Sequence, residues 1–216
     1  MNKALSMIFA LAAAAGISGA ASAQDAQAGE KKAAMCIGCH GIPGYQASFP
    51  EIHKVPMISG QSAKYIVAAL NAYKKGERKH PTMKGIAASL TDQDMADLGA
   101  FYEAHGGPAK NADAPAPTPP APVAELLKKG NCASCHGENL NKPIDPSYPK
   151  LAGQHADYLY VALKAYQTEN NAQVGRGNAI MAGMAKPFSH AELKAMAQYI
   201  ASLPSDLKTV PESRFR

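Results

Sequence analysis

The sequence has no tryptophan, and its aromatic residues are limited to nine tyrosines and five phenylalanines among 216 residues. Cores this poor in large side chains are hard to stabilise in small domains without disulfides, a metal or a bound cofactor. Charge of one sign is scarce too: 22 lysines and arginines against 17 aspartates and glutamates give +5, too mild a balance to suggest a nucleic-acid partner. No apolar run comfortably reaches the roughly 20 residues a membrane-spanning helix requires, which excludes a multi-pass membrane protein. The run from Ala4 to Ile17 behind Lys3, followed by Ala21-Ser22-Ala23, instead has the form of an export signal, residues 1–23, cleaved after Ala23. With no cysteine near that junction a lipid anchor there is not expected, and the mature chain, with 21 basic and 17 acidic side chains, is expected to be exported and free of a stable membrane anchor.

What is present is a repeat. The only four cysteines form Cys36-Ile37-Gly38-Cys39-His40 and Cys132-Ala133-Ser134-Cys135-His136, the same five-residue pattern 96 residues apart. Pro56-Met57-Ile58-Ser59-Gly60-Gln61 parallels Pro149-Lys150-Leu151-Ala152-Gly153-Gln154, and Tyr65 and Tyr73 return as Tyr158 and Tyr166, all at an offset of 93. Met83-Lys84-Gly85 parallels Met181-Ala182-Gly183, and Thr91 parallels Ser189, at an offset of 98. Two copies are too few for a stacked solenoid, so the pattern predicts two similar domains. Between them residues 109–122 form a linker whose end, Pro115-Ala116-Pro117-Thr118-Pro119-Pro120-Ala121-Pro122, favours extended polyproline geometry. At ~3.1 Å per residue its proline-rich part reaches about 31 Å, enough to separate two domains or to lie along both.

Each copy reads as helical, and no alternating strand pattern of useful length appears, so the fold class is all-α. Short helices are expected over 28–35 and 123–129, and a longer one from Gln61 to Lys75 with Tyr65, Ala69 and Tyr73 on one face and Gly76 as its stop. Thr91 with Asp94, and Ser189 with Glu192, have the spacing of capping boxes for the last helix of each copy. Met95, Leu98 and Tyr102 then line one face, as do Leu193, Met196 and Ile200.

Four cysteines in an exported chain could form two disulfides, a thiol redox site, or half-sites for zinc. None of these requires a histidine directly after the second cysteine, or predicts it twice. Cys-x-x-Cys-His is the attachment signature of c-type haem: both sulfurs, here Cys36 and Cys39, Cys132 and Cys135, bond covalently to the haem edge, and the adjacent histidine, His40 or His136, reaches the iron. Methionine as the opposite ligand fills the sixth iron site and suits electron transfer, whereas an open site suits ligand binding or catalysis. Met83 and Met181 stand at matched distances after the two histidines, eight residues before the helix caps Thr91 and Ser189. Met184 competes with Met181, but its counterpart is Ile86, which cannot bind iron; Met57 matches Lys150 and is a poor ligand. Met35, Met95 and Met196 are read as packing residues. His53, His80, His105, His155 and His190 have no histidine counterpart and read as surface or loop, with His80 an outside alternative to Met83. Arg78 and Arg176 both precede the methionine by five residues and are placed either to pair with a haem propionate or to be solvated loop charges.

With these motifs the chain resembles the class I cytochromes c, and specifically the exported two-haem cytochromes of the cytochrome c4 family. The resemblance rests on both Cys-x-x-Cys-His motifs, on Pro149-Lys150-Leu151-Ala152-Gly153-Gln154 with its first-copy echo, and on Met181-Ala182-Gly183-Met184 before a Ser-capped helix. It implies two tandem cytochrome c domains, residues 24–108 and 123–216, each wrapped around a covalently attached haem c with crossing first and last helices and His/Met iron. It also implies that the Pro56 and Pro149 carbonyls hold the ligand histidines. The implied role is periplasmic electron transfer between a quinol-oxidising complex or dehydrogenase and a terminal oxidase, after haem attachment by the cytochrome c maturation machinery. The implied protein is a carrier and not an enzyme. A two-haem thiosulfate dehydrogenase or peroxidase, or the haem subunit of a flavoprotein dehydrogenase, are the alternatives.

Overall fold

A computed structural model describes residues 24–106 and 114–211; the expected signal at 1–23 and the start of the linker lie outside the described residues. The first copy contains α1 (Ala26–Lys32), α2 (Ala34–His40), two-residue strands β1 (Gln46–Ala47) and β2 (His53–Lys54), α3 (Ala63–Lys75), β3 (Arg78–Lys79), α4 (Pro81–Ala88) and α5 (Asp92–Ala104). The second contains α6 (Ala121–Lys129), α7 (Ala133–His136), α8 (Ala156–Gln167), β4 (Gly175–Arg176), α9 (Ala179–Ala185) and α10 (His190–Ala201). The chain is thus all-α in class, and among the described residues no strand is longer than two residues.

Local signals set most helix ends. Thr91 and Asp94 form a reciprocal capping box at α5, and Ser189 and Glu192 do the same at α10. Gly76 ends α3 in the left-handed region at φ 78°, which costs a glycine nothing sterically. α3 starts at Ala63 and not at Gln61, because Ser62 is its N-cap, with a non-helical backbone at ψ 135°. α6 begins at Ala121 and takes Pro122 into its first turn, so the linker ends two residues earlier than its composition suggests. Proline is tolerated there because the N–H it lacks would have no partner in a first turn. The short helices α4 and α9 carry too weak a periodic signal to be read from the sequence.

Each copy packs its own core. In the first, α1 crosses α5 so closely that a Cβ on Gly29 would sit 2.1 Å from the Asp97 carbonyl oxygen. Met95, Leu98, Phe101 and Tyr102 of α5 are buried together with Ile66 and Leu70 of α3 and Ile37 of α2. In the second, Leu193, Met196 and Ile200 of α10 are buried, and α8 and α6 cover the helix. Burial of a Leu, Ile or Met side chain stabilises by about 1.5–3 kcal/mol, so these faces dominate each small core. Met35, expected to pack, is 46% exposed instead.

The two copies are docked. β3 and β4, one from each copy, pair antiparallel with Arg78 opposite Arg176 and Lys79 opposite Gly175. Among the described residues two ion pairs cross the junction, Lys54 to Asp157 at 3.4 Å and Lys164 to Glu51 at 3.0 Å. His53, expected at the surface, is buried at this junction, its ring centroid 6.2 Å from that of Tyr158. The proline-rich segment lies along the second copy, where the Pro117 carbonyl accepts from the Tyr199 hydroxyl at 3.0 Å.

Candidate functional site

Helix α2 turns Cys36, Cys39 and His40 to one side, because residues three and four apart share a helical face. α7 does the same for Cys132, its N-cap residue, with Cys135 and His136. Cys36 and Cys132 pack against the cores of their copies. Burial pushes the Cys36 thiol up to about 11 and raises Cys132 as well. A redox dithiol works through a readily formed thiolate, so these environments do not favour thiol exchange. Among the described residues, no group of three or more His, Cys, Asp and Glu side chains could hold a metal ion, so the cysteine pairs do not build a shared zinc site.

Both histidines are held the same way. Nδ1 of His40 lies 2.8 Å from the Pro56 carbonyl oxygen, and Nδ1 of His136 lies 3.0 Å from that of Pro149. A carbonyl only accepts, so Nδ1 carries the proton and Nε2 is left with its lone pair for a metal. Burial lowers the pKa of both rings, against the opposing effect of the proline bonds, and so favours the neutral, ligand-competent imidazole.

Met83 and Met181 occupy equivalent positions, the third residue of α4 and of α9. The cap side chain accepts the methionine N–H in both: His80 Nδ1 at 3.4 Å from Met83 N, and Asn178 Oδ1 at 3.0 Å from Met181 N. His80 is therefore the counterpart of Asn178, a helix cap. Met83 packs against the first core beside Cys36, while Met184 is 45% exposed against a half-buried Met181.

The matched arginines meet at the junction. Arg78 is buried, with its guanidinium 4.8 Å from the Tyr73 ring centroid and hydrogen-bonded at 3.3 Å to both Tyr65 and the other copy's Tyr158. Arg176 lies 5.3 Å from the Tyr166 ring and donates to the Tyr158 hydroxyl at 3.0 Å. Burial would raise the Tyr158 phenol, but the two guanidiniums outweigh it and bring it down to about 8. Burial dominates at Tyr65 and pushes it up to about 12. Among the described residues neither arginine has a carboxylate partner, and the buried Arg78 Nε has no hydrogen-bond partner at all. A buried Arg78 beside a half-buried Arg176, neither with a counter-charge, is costly, and the site fits a group that brings carboxylates of its own. The sequence paired these tyrosines by offset but read two of them only as a helix face, and it gave no sign that all four converge around both arginines.

Two thiols, a neutral imidazole nitrogen and a matched thioether in each copy, with uncompensated guanidiniums between them, define a protein of two c-type cytochrome domains. The cytochrome c family model matches residues 26–104 and 121–204. Cytochrome c4 of Stutzerimonas stutzeri is 31% identical over 94% of this chain and all of its own length, and that of Azotobacter vinelandii is equally similar, at 31% over 94% and all of its length. The crystal structure of reduced cytochrome c4 from Pseudomonas stutzeri superimposes with a TM-score of 0.60 at 28% identity, covering 84% of this chain and all of that one. The chain belongs to the cytochrome c family, in its two-domain cytochrome c4 branch, and binds two haem c groups covalently. Among the described residues no helix is long and apolar enough to cross a membrane.

Proposed function

We propose that this dihaem electron-transfer cytochrome works in the periplasm, taking single electrons from a quinol-oxidising complex or dehydrogenase and passing them to a terminal oxidase. The observation that carries the reading is the duplicated Cys-x-x-Cys-His helix, each with its histidine Nδ1 held by a proline carbonyl. When bound, haem c supplies a one-electron ferric/ferrous couple. Cys36 and Cys39, and Cys132 and Cys135, would form the thioether links. His40 with Met83, and His136 with Met181, would supply the axial ligands, with Pro56 and Pro149 fixing the histidine tautomer. Arg78 and Arg176 would pair with propionates at the junction of domains 24–108 and 123–216, a contact that gives each guanidinium an anionic partner. His40 with Met83, and His136 with Met181, would leave no iron site open to substrate, which favours transfer over catalysis.

A relative of Stutzerimonas stutzeri, 31% identical over 82% of this chain and 83% of its own length, is known as a thiosulfate dehydrogenase electron acceptor. This favours a thiosulfate-oxidising dehydrogenase among the candidate donors. The test is purification from the periplasmic fraction, followed by optical and potentiometric titration and stopped-flow mixing with that dehydrogenase and with oxidase-containing membranes. Two one-electron steps, a Met–iron absorption at both haems and fast reoxidation by the membranes are expected. Direct turnover of thiosulfate or peroxide, or rapid cyanide binding by the resting protein, would instead make it an enzyme.

A further inference from the structure

The peptide that holds each ligand histidine is itself held by a glutamine of the opposite domain. The Pro56 carbonyl that faces His40 belongs to the same peptide group as the Met57 N–H, and that N–H donates to Gln154 Oε1 at 3.0 Å. Gln154 Nε2 donates back to the Met57 carbonyl at 2.9 Å, and Oε1 also accepts from His155 N at 3.0 Å. The mirror arrangement is complete. The Pro149 carbonyl facing His136 shares its peptide with the Lys150 N–H, which donates to Gln61 Oε1 at 2.9 Å. Gln61 Nε2 donates to the Lys150 carbonyl at 3.1 Å, and Oε1 accepts from Ser62 N at 3.2 Å. Both glutamines are almost fully buried, at 3% and 4% exposure, so water cannot replace these bonds without opening the junction.

We propose that Gln61 and Gln154 are crosswise positioning residues, each setting the donor strength of the ligand histidine in the other domain. The inference rests on the dihaem reading, with His40 and His136 as iron ligands. A peptide whose N–H is engaged carries more negative charge on its carbonyl oxygen, so chained hydrogen bonds strengthen one another. The stronger acceptor draws the Nδ1 proton and makes the imidazole a better donor at Nε2. A better donor favours ferric over ferrous iron and lowers the reduction potential. Docking of the domains therefore holds both potentials down, and separation, which releases both peptides together, raises both.

The test is carried out on the full-length dihaem protein with Gln154→Met and Gln61→Met, which keep the side-chain volume and remove the amide. Potentials are assigned to each haem by NMR-monitored titration, and exchange of the His40 and His136 Nδ1 protons is followed in the same samples. Gln154→Met should raise the potential of the haem in the first domain more than that in the second, and should speed exchange at His40. Gln61→Met should do the reverse. Equal shifts at both haems in both variants, shifts confined to the variant's own domain, or no shift would overturn the proposal. If Gln154→Met fails to load both haems, Gln154→Glu serves: a carboxylate is a stronger acceptor and should lower the first haem's potential more than the second's, whereas equal lowering counts against the idea. Haem content and the ligands of the unsubstituted protein are measured separately, so a failure of the dihaem reading would show there first.

Discussion

Arg78 and Arg176 lie directly opposite each other in the ribbon that joins the two domains, and among the described residues neither has a carboxylate partner. Like charges brought this close across a buried junction point to anions that belong to the bound groups. Replacing Arg78 with glutamine removes a cation that stabilises the electron-rich reduced state. Both potentials should fall, by on the order of 1 kcal/mol or roughly 40 mV for a one-electron couple, as read by potentiometric titration. Lysine at the same position should recover only part of the loss, because it keeps the charge but not the planar fork. Unchanged potentials in the glutamine variant would remove Arg78 from the haem environment.

Met83→Ala should abolish the Met–iron absorption of one haem and lower its potential, and Met181→Ala should do so for the other. Met184→Ala and His80→Ala should leave both absorptions in place. His80→Ala should still destabilise the first domain by about 1 kcal/mol through loss of the α4 cap, measured by denaturant unfolding. Loss of the signal in the Met184 variant would shift the ligand by one helical turn.

Acid should act unequally on the two domains. Asp97 is buried, accepts from Lys32 Nζ at 2.7 Å, from the Asp25 N–H at 3.0 Å and from Gln93 at 2.7 Å, and ties α1 to α5. The Lys32 hydrogen bond is the main reason its carboxyl is held below the usual range, against an opposing desolvation effect. A depressed folded value means the stabilisation is complete above the ordinary aspartate pKa of about 3.9 and is lost as pH falls through the folded value. The position matching Asp97 in α10 is Ala195, so the second domain has no carboxylate at that place in its last helix. The first domain should unfold first on acidification, followed through the absorbance of each haem. Asp97→Asn should flatten the difference and cost about 1–3 kcal/mol at neutral pH. Equal acid sensitivity of the two domains in the unsubstituted protein would contradict this.

Gly29→Ala should damage the first domain alone. The added carbon would fall 2.1 Å from the Asp97 carbonyl oxygen and 2.7 Å from Phe101 Cβ, so α1 must slide off α5. Overpacking of this kind costs typically about 1–3 kcal/mol. Glu125 is the matching residue of α6, and Glu125→Ala should stay within about 0.5 kcal/mol. Thermal unfolding of both variants checks the contrast; a silent Gly29→Ala would mean that the crossing is looser than described.

The parts of this protein that were legible in its sequence share a short range. The capping boxes at Thr91 and Ser189, the stop at Gly76 and the faces of α5 and α10 follow from residues three or four apart. The cysteine–histidine motifs are equally local. Readings failed where burial depends on a surface far along the chain. His53 reads as a loop residue and is covered by the second domain, while Met35, on a helix, is left 46% exposed by the described residues. Spacing alone leaves Arg78 and Arg176 balanced between solvent and propionate, because the burial of Arg78 and the partial burial of Arg176 need both domains present.

By itself the sequence determined that there are two helical units, where each carries its Cys-x-x-Cys-His motif, and which residues cap the last helix of each. Helical periodicity and capping act over single turns, and covalent attachment needs only neighbouring side chains. Only the tertiary structure decided that the proline-rich linker leaves the domains docked, that Arg78 meets Arg176, and that Gln61 and Gln154 each grip a peptide of the other domain. Those contacts join residues about 90 to 100 positions apart. Their strength comes from removing water when two folded surfaces close, a condition that no local pattern encodes.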